Sequence, residues 1–403
     1  MKDYEKELEE YREVMETIKE KEKNLDKIKG SLFGGAMGDA LGYPVEFMSI
    51  EQIREKYGKD GIHEYTLDKK SGLALISDDT QMTLFTANGI LVADTRLSMR
   101  GVGGRPIGYV ICSYLDWLLT QQTDFETSRK MEFHQRRSWL LDVPELYSRR
   151  SPGNTCISSL IETKNSDRHY WDFMKKPINK SKGCGAVMRI APLGLFEYYV
   201  GIETLDEEAA LISAITHGHS LGYMTSSVLV HIINRIVYPQ KETSTLKEIV
   251  EEARDCVCKI FKKDKHINEL KNIINLAIRL SENDKSDIEN ISKIGKGWVA
   301  EETLAIAIYC SLRYQNDFSK AIIAAVNHSG DSDSTGAVTG NIAGAVVGYE
   351  KIEDKWKHKL ELSDVISEIA TDLCHGCRMC DLGYYHDMDW ERKYIYMCWK
   401  ENI

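Results

Sequence analysis

The sequence predicts an all-α protein, and three observations support this fold class. Apolar residues recur at intervals of three and four along most of the 403-residue chain. Alternating patterns typical of strands are scarce, and the chain has only seven prolines. Two glycine-rich, helix-like segments occur near residues 34–42 and 336–348. We expect one large orthogonal helical domain over residues 30–403.

Residues 1–29 are highly charged and carry one narrow apolar seam. This pattern predicts an amphipathic helical extension that lies on the domain, with a coiled-coil partner helix as the alternative. Further helices are expected from apolar periodicity, at 81–93, 107–120, 186–199, 207–216, 222–237, 246–261, 267–280, 300–312 and 318–327.

Glycines recur at every fourth residue in two of the predicted helices. Glycine inside a helix costs about 1 kcal/mol relative to alanine, so a stripe of glycines indicates close approach by another helix. Both striped segments adjoin acidic residues. We therefore expect the two helices to lie at the centre of the fold and to bring Glu46 near Asp331 and Asp333.

The net charge of the chain argues against two classes of partner. A charge of −10 does not favour binding to a nucleic acid or to an anionic membrane surface.

The sequence also indicates where the protein is located. No apolar run is long enough to span a bilayer, and the first residues lack the apolar core of an export signal, so we expect a cytoplasmic protein. The ten cysteines, including Cys184, Cys256 and Cys258, are then expected to remain reduced. Nothing in the sequence indicates the oligomeric state.

Two acidic clusters have the same local setting. Ser77, Asp78 and Asp79 precede one helical run, and Asp331, Asp333 and Ser334 precede another. Capping of the helices by these residues is one interpretation. The other is a metal site, because hard divalent cations such as Mg²⁺ prefer carboxylate and hydroxyl oxygens. Glu46 follows the first glycine stripe and is a candidate ligand or general base.

Five segments together resemble the ADP-ribosylglycohydrolase family, and in particular its dinitrogenase reductase-activating members. Residues 34–46 are similar to the opening motif of the family, and residues 77–83 to its first metal motif. Residues 152–156 and 182–192 resemble two further segments of bacterial members. Residues 330–334 resemble the last metal motif. The segments occur in the family's order.

The resemblance implies two Mg²⁺ ions, or Mn²⁺ in their place, in a central cleft. Ser77, Asp78 and Asp79 would hold one ion, Asp331, Ser334 and Glu46 the other, and Asp333 both. The implied catalytic residues are Glu46, Asp78, Asp79 and Asp333. The implied substrate-binding residues are Gly153, Asn154, Gly183, Cys184, Gly185 and His217. We expect the glycine-rich turn 183–185 to offer free N–H groups to a diphosphate.

The resemblance implies a hydrolase that cleaves the glycosidic bond of ADP-ribose on a modified side chain or a related compound. A non-catalytic ADP-ribose-binding protein and a metal-dependent nucleotide phosphoesterase are the alternatives.

Two further segments carry residues that could bind a metal or an anion. Cys374, Cys377 and Cys380 are spaced for a zinc or iron–sulfur site but lack a convincing fourth partner, so free thiols are the alternative. Arg189 is expected to meet either a phosphate or a buried acid.

Overall fold

The computed structural model describes residues 2–101, 103–130, 135–166, 169, 172–198, 200–241 and 243–399. The predicted all-α fold is confirmed. Over these residues β contacts occur only as isolated bridges, which join Leu67 to Ala74, Ala74 to Leu360 and Gly183 to Val299. In the same part of the chain no helix combines the length and the apolar character that crossing a membrane requires.

The helices follow one another in the order α1 (Lys2–Lys21), α2 (Leu25–Gly42), α3 (Ile50–Tyr57), α4 (Asp78–Arg100), α5 (Pro106–Gln122), α6 (Phe125–Ser128), α7 (Asn154–Lys164), α8 (Ala191–Leu195), α9 (Ile202–Ala214), α10 (Ser220–Val237), α11 (Leu246–Ile260), α12 (Ile267–Ser281), α13 (Asp287–Ile294), α14 (Ala300–Arg313), α15 (Phe318–Val326), α16 (Ser332–Val347), α17 (Asp354–Lys357), α18 (Ser363–His375) and α19 (Met388–Tyr394).

The two glycine-striped helices, α2 and α16, pack directly against each other. A methyl group on Gly34 would collide with the carbonyl oxygen of Gly340, and one on Gly38 with that of Gly336. Each step of four residues along α2 matches a step of four residues back along α16, so the helices are antiparallel. The predicted close backbone approach is confirmed, because only glycine leaves room for it.

This antiparallel packing places the acidic residues together. The C-terminal end of α2, at Gly42, meets the backbone of Ser332 at the start of α16. One turn of 3₁₀ helix, Tyr43–Val45, then leads to Glu46. Asp331 and Asp333 lie on either side of Ser332. Two segments almost 300 residues apart in sequence therefore join at one end of the central helix pair.

The predicted helix over 186–199 is wrong. A 3₁₀ turn spans Cys184–Ala186, α8 is limited to Ala191–Leu195, and Phe196 is extended. The apolar run in this region is buried on every side, so its hydrophobicity reflects central packing and not the face of one long helix.

The first helices differ in extent from the prediction. Helix α1 ends at Lys21 and α2 begins at Leu25, so residues 25–29 belong to the central helix. Glu10 of α1 accepts hydrogen bonds from the backbone N–H groups of Tyr384 (3.0 Å) and Tyr385 (3.1 Å). The extension is thus fastened to the C-terminal part of the chain. The division between extension and domain stays a prediction.

Candidate active site

A cleft of about 450 Å³ opens where α2 ends and where α4, α7 and α16 begin. Nearly all of the residues that the sequence predicts for the active site line this cleft. The predicted residues that line it are Glu46, Asp78, Asp79, Gly153, Asn154, Gly183, Cys184, Gly185, His217, Asp331, Asp333 and Ser334. No lysine or arginine is among the described residues that line it.

Ser77 lies behind the cleft lining and is completely buried. Its hydroxyl caps α4 by accepting a hydrogen bond from the N–H of Asp79 (3.2 Å). The Ser77 side chain also adjoins the Asp333 carboxylate. Ser77 therefore performs the capping role considered from sequence and also joins the two acidic clusters.

The carboxylates of Glu46, Asp331 and Asp333 lie close enough together to coordinate one metal ion. One oxygen of each lies within 4.8 Å of the others, and all three residues are buried. Glu46 Oε2 and Asp79 Oδ2 are buried without any hydrogen-bond partner. Buried polar atoms normally have partners, so these oxygens are suited to a cation.

Burial and mutual repulsion raise the pKa of the acids in this cluster. Loss of hydration is the larger cause and the charge of Asp333 the next for each of the surrounding carboxyls. The pKa of Glu46 rises to about 9. The pKa values of Asp78, Asp79 and Asp331 rise well above their ordinary range. Without positive charge nearby, these groups retain protons that a divalent cation would displace.

Asp39 is a buried carboxylate that the sequence reasoning missed as a site residue. It accepts hydrogen bonds from the backbone N–H groups of Ser77 (3.0 Å) and Thr80 (3.1 Å) and from the Thr80 hydroxyl. Burial, and then the charge of Asp333, raises the pKa of Asp39 to about 7. Asp39 holds the turn that carries Asp78 and Asp79. A single acid within the apolar glycine stripe was the available signal.

A buried ion pair supports the same turn from the other side. Arg150 pairs with Glu361 and donates to the carbonyl of Ile76 (2.9 Å). The N–H of Asp78 in turn donates to the Arg150 carbonyl (3.2 Å). Next to Arg150, Ser151 has a positive φ of 52° and lies beside Glu46 in the cleft. Residues 150 and 151 thus connect both acidic segments.

The turn 183–185 differs from the prediction in its hydrogen bonding. The N–H of Gly183 donates to Ser181 Oγ (3.3 Å), and that of Cys184 donates to the carbonyl of Trp298 (3.3 Å). The expectation of free N–H groups is therefore wrong for these two residues, since the turn uses them to hold itself. The Cys184 thiol donates to Asp331 Oδ2 (2.8 Å). The turn therefore holds the Asp331 carboxylate in position.

His217 lies against this turn at the end of a chain of buried groups. The Arg189 guanidinium donates to Thr216 Oγ1 (2.6 Å), which lies 2.9 Å from His217 Nδ1. Arg189 also stacks on the ring of Tyr114, with 4.4 Å to the centroid. Burial, and then the Arg189 charge, lowers the pKa of His217 to about 3. His217 is therefore neutral at ordinary pH, and Arg189 faces neither the cleft nor a carboxylate among its described contacts.

Two aromatic rings form an exposed wall at the cleft. Phe47 and Trp298 stack with centroids 5.7 Å apart and an angle of 21° between their planes. Phe47 is 73% exposed and Trp298 is 40% exposed. The loop that carries Trp298 is fixed by a hydrogen bond from the N–H of Asp331 to the Lys296 carbonyl (2.8 Å). Sequence reasoning missed both aromatics because neither belongs to a periodic or acidic pattern.

Among the described residues, no group of potential metal ligands includes Cys374, Cys377 or Cys380. The thiol of Cys374 donates to the Lys21 carbonyl (3.2 Å), and that of Cys377 lies 4.0 Å from the Met379 carbonyl. This arrangement agrees with the interpretation as free thiols.

Comparison with known proteins identifies the family. Residues 20–382 match the model of a family described as ADP-ribosylglycohydrolase. The chain belongs to the ADP-ribosylglycohydrolase family. The family match covers all of the residues that line the cleft, and the prediction of an enzyme of this family is confirmed.

The relatives include characterised and uncharacterised proteins. An uncharacterised protein of Archaeoglobus fulgidus is 26% identical, with 86% of this chain and 96% of that protein covered. The ADP-ribosyl-[dinitrogen reductase] glycohydrolase of Rhodospirillum rubrum is 25% identical, over 84% of this chain and 91% of the relative. A solved ADP-ribosylglycohydrolase-related protein complex shares the fold, with a TM-score of 0.60, 22% identity, and coverage of 87% and 97% of the two chains.

Proposed function

We propose that this member of the ADP-ribosylglycohydrolase family is a Mg²⁺-dependent hydrolase. It would release ADP-ribose from a modified amino-acid side chain or a related ADP-ribosyl compound. The observation that carries the proposal is the group of buried carboxylates with partnerless oxygens in a cleft without lysine or arginine among its described lining residues. Such a group needs cations for charge balance, and oxygen ligands favour Mg²⁺ or Mn²⁺.

The ligand set would draw on both acidic segments. Glu46, Asp331 and Asp333 have the spacing for one ion, and Asp78 and Asp79 line the same cleft for a second. Asp333 is the neighbour whose charge raises the pKa of every other acid there, which suits a ligand shared by two ions. When bound, the ions would orient the ribose hydroxyls and lower the pKa of a water molecule.

Glu46 is our candidate for general base. Its Oε2 is buried and lacks a hydrogen-bond partner, and Ser151 lies beside the carboxyl group in the same cleft. A bound cation would displace the proton that Glu46 retains in the metal-free protein, and the freed carboxylate can then take a proton from water. In this role Glu46 would accept the proton of the attacking water as the bond at the anomeric carbon breaks.

The start of α7 is our candidate for the diphosphate subsite. Gly153, Asn154 and Thr155 line the cleft, and Gly153 provides no side-chain cap to the helix. The first N–H groups of an uncapped helix lack partners within the helix and carry a partial positive charge. They would bind an anion without help from lysine or arginine.

Phe47 and Trp298 are our candidates for the adenine subsite. Their flat, exposed faces adjoin the cleft, and an aromatic ring offers a base a stacking surface without requiring specific hydrogen bonds.

His217 would donate a fixed hydrogen bond to the substrate. Because Thr216 Oγ1 receives a hydrogen from Arg189, its own hydrogen is available for His217 Nδ1. The imidazole proton then remains on Nε2, the atom beside the Gly183–Gly185 turn. A neutral histidine held in this tautomer binds an oxygen acceptor with the same strength across ordinary pH.

Product analysis on a panel of linkages tests the proposal. Peptides ADP-ribosylated on arginine, serine or cysteine are incubated with the protein in Mg²⁺ or in EDTA, and products are separated by chromatography and identified by mass. We expect free ADP-ribose from at least one linkage in Mg²⁺ and none in EDTA. Asp79→Asn should be inactive, whereas Asp60→Asn, which alters an exposed aspartate, should retain activity.

The other outcomes identify the alternatives. Binding of ADP-ribose without release from any linkage would favour a non-catalytic binding protein. Release of AMP in place of intact ADP-ribose would favour a phosphoesterase.

A further inference from the structure

A second cluster of metal-ligand side chains lies where α9, α10 and α11 pack together. Asp206 from α9, His231 from α10 and Cys256 from α11 each offer one ligand atom, and the three atoms lie within 4.8 Å of one another. None of these residues lines the cleft. We propose that they form a second metal site, for a cation of the zinc class.

The Asp206 carboxylate gives independent support for a ligand. Asp206 is 0% exposed, and its Oδ1 has no hydrogen-bond partner. Its other oxygen, Oδ2, lies 2.9 Å from His231 Nδ1. A carboxylate that is fully buried with one oxygen unsatisfied is unusual in a folded protein. A cation bound by Asp206 would remove this deficit.

Glu252 offers His231 a carboxylate of the kind found in the outer shell of metal–histidine sites. The second nitrogen of His231, Nε2, has no hydrogen-bond partner among the described residues and lies 3.4 Å from Glu252 Oε1, which Arg235 holds at 2.8 Å. Histidine ligands usually donate their other N–H to a carboxylate, which fixes the ring and strengthens the ligand. Metal binding would replace the hydrogen bond between Nδ1 and Asp206 Oδ2, and the ring proton would then lie on Nε2, where Glu252 can accept it in a hydrogen bond.

The donor atoms select the metal. One sulfur, one imidazole nitrogen and one carboxylate oxygen suit Zn²⁺, or Co²⁺ as its spectroscopic substitute, and not Mg²⁺. On binding, the Cys256 thiol would lose its proton to solvent, so thiolate and carboxylate together balance the two positive charges. Cys256 is partly exposed, which gives the ion an entry path and leaves room for water as a fourth ligand.

The placement of the ligands on three helices indicates a structural role. Each helix would contribute one ligand, so the ion would fasten α9 and α11 to α10. Helix α10 begins at Ser220, shortly after His217, and a fixed α10 would steady that wall of the cleft. A cation that binds only the folded protein should raise its thermal midpoint.

Metal titration of the reduced, Mg²⁺-saturated full chain tests the proposal. Zn²⁺ bound after desalting is counted by elemental mass spectrometry, and Co²⁺ is followed by thiolate-to-metal absorption in the near ultraviolet. We expect one tightly held Zn²⁺ and a matching Co²⁺ signal. Both should be lost in Cys256→Ser. They should persist in Cys258→Ser, which removes the partly buried thiol two residues further along α11.

Glu252→Gln provides a second test if Cys256→Ser does not fold. This change leaves all three ligands in place and should weaken Zn²⁺ binding by about 10- to 100-fold, as loss of an outer-shell carboxylate does. Absence of tight Zn²⁺ binding by the unaltered protein would overturn the proposal. So would a Co²⁺ thiolate signal that survives in Cys256→Ser and disappears in Cys374→Ser.

Discussion

Gly38 of α2 lies directly against Gly336 of α16, so closely that a methyl group on either would collide with the backbone carbonyl of the other. This contact fixes the separation of the two central helices. The same helices end and begin at the acidic cluster, and the separation therefore sets how near Glu46 comes to Asp333. Packing at the centre of the fold and the geometry of the cleft are thus one feature.

Gly38→Ala should destabilise the protein by about 1–3 kcal/mol, the usual cost of overpacking a tight core. The obstacle is backbone, which cannot rotate away as a side chain can. Urea unfolding measures the loss. Gly108→Ala is the control, because a methyl group there meets nothing within 4 Å in helix α5 and should be neutral or slightly stabilising. Equal stability of the two variants would contradict the tight packing.

Asp39→Asn should weaken divalent-cation binding by about 10- to 100-fold while the protein remains folded. The amide retains one acceptor oxygen and turns hydrogens toward the Ser77 and Thr80 donors, so the turn that carries Asp78 and Asp79 loosens. Mn²⁺ affinity, measured by electron paramagnetic resonance, checks this expectation. An unchanged affinity would show that Asp39 does not position the site.

Asp333→Asn should abolish hydrolysis and at the same time stabilise the metal-free protein. The charge of Asp333 raises the pKa of each surrounding carboxyl, so its removal relieves repulsion among buried acids. Thermal unfolding in EDTA and turnover in Mg²⁺ give the two readouts. Near-normal turnover at saturating Mg²⁺ would exclude Asp333 as a ligand that two ions share.

Stability of the metal-free protein should fall as the pH rises from about 7 to 8.5. Glu46, with its pKa raised to about 9, keeps its proton in the folded state, whereas the unfolded chain has lost it at these pH values. The folded state therefore binds more protons, and its free energy of unfolding decreases with pH, by about 1–2 kcal/mol over this interval. His217 does not contribute, since it is neutral in both states above pH 7.

Urea unfolding in EDTA at the two pH values measures this slope. Glu46→Gln removes one of the titrating carboxyls and should make the slope smaller, and saturating Mg²⁺ should flatten it in the unaltered protein. A free energy of unfolding that stays constant or rises with pH in EDTA would contradict the raised pKa.

The central part of the site was predictable from the sequence because its signals are local. Glycines at every fourth residue of a helix usually mark close contact with another helix. Acidic residues at the ends of two such helices therefore lie close to one another when the helices pack together. Twelve of the predicted site residues therefore line one cleft.

Other parts were not predictable because they depend on long-range packing. The role of Asp39 appears only when residues 77–80 fold back over α2. The glycine-rich composition predicts free N–H groups at Gly183 and Cys184. Instead, the Ser181 hydroxyl and the carbonyl of the distant Trp298 accept hydrogen bonds from them. Likewise, the apolar run within 186–199 predicts a helix, but its residues 186–196 are all buried, so their hydrophobicity does not mark one face of a helix. None of these contacts follows from the spacing or composition of the residues that make it.

Crystals grown with Mn²⁺ and ADP-ribose test most directly whether this cleft holds divalent cations and binds ADP-ribose. Anomalous scattering locates Mn²⁺ independently of the protein atoms. We expect anomalous peaks among the carboxylates of Glu46, Asp78, Asp79, Asp331 and Asp333, with the ribose against them and the diphosphate at the start of α7. Anomalous peaks elsewhere with none between these carboxylates, or ADP-ribose bound away from them, would contradict it.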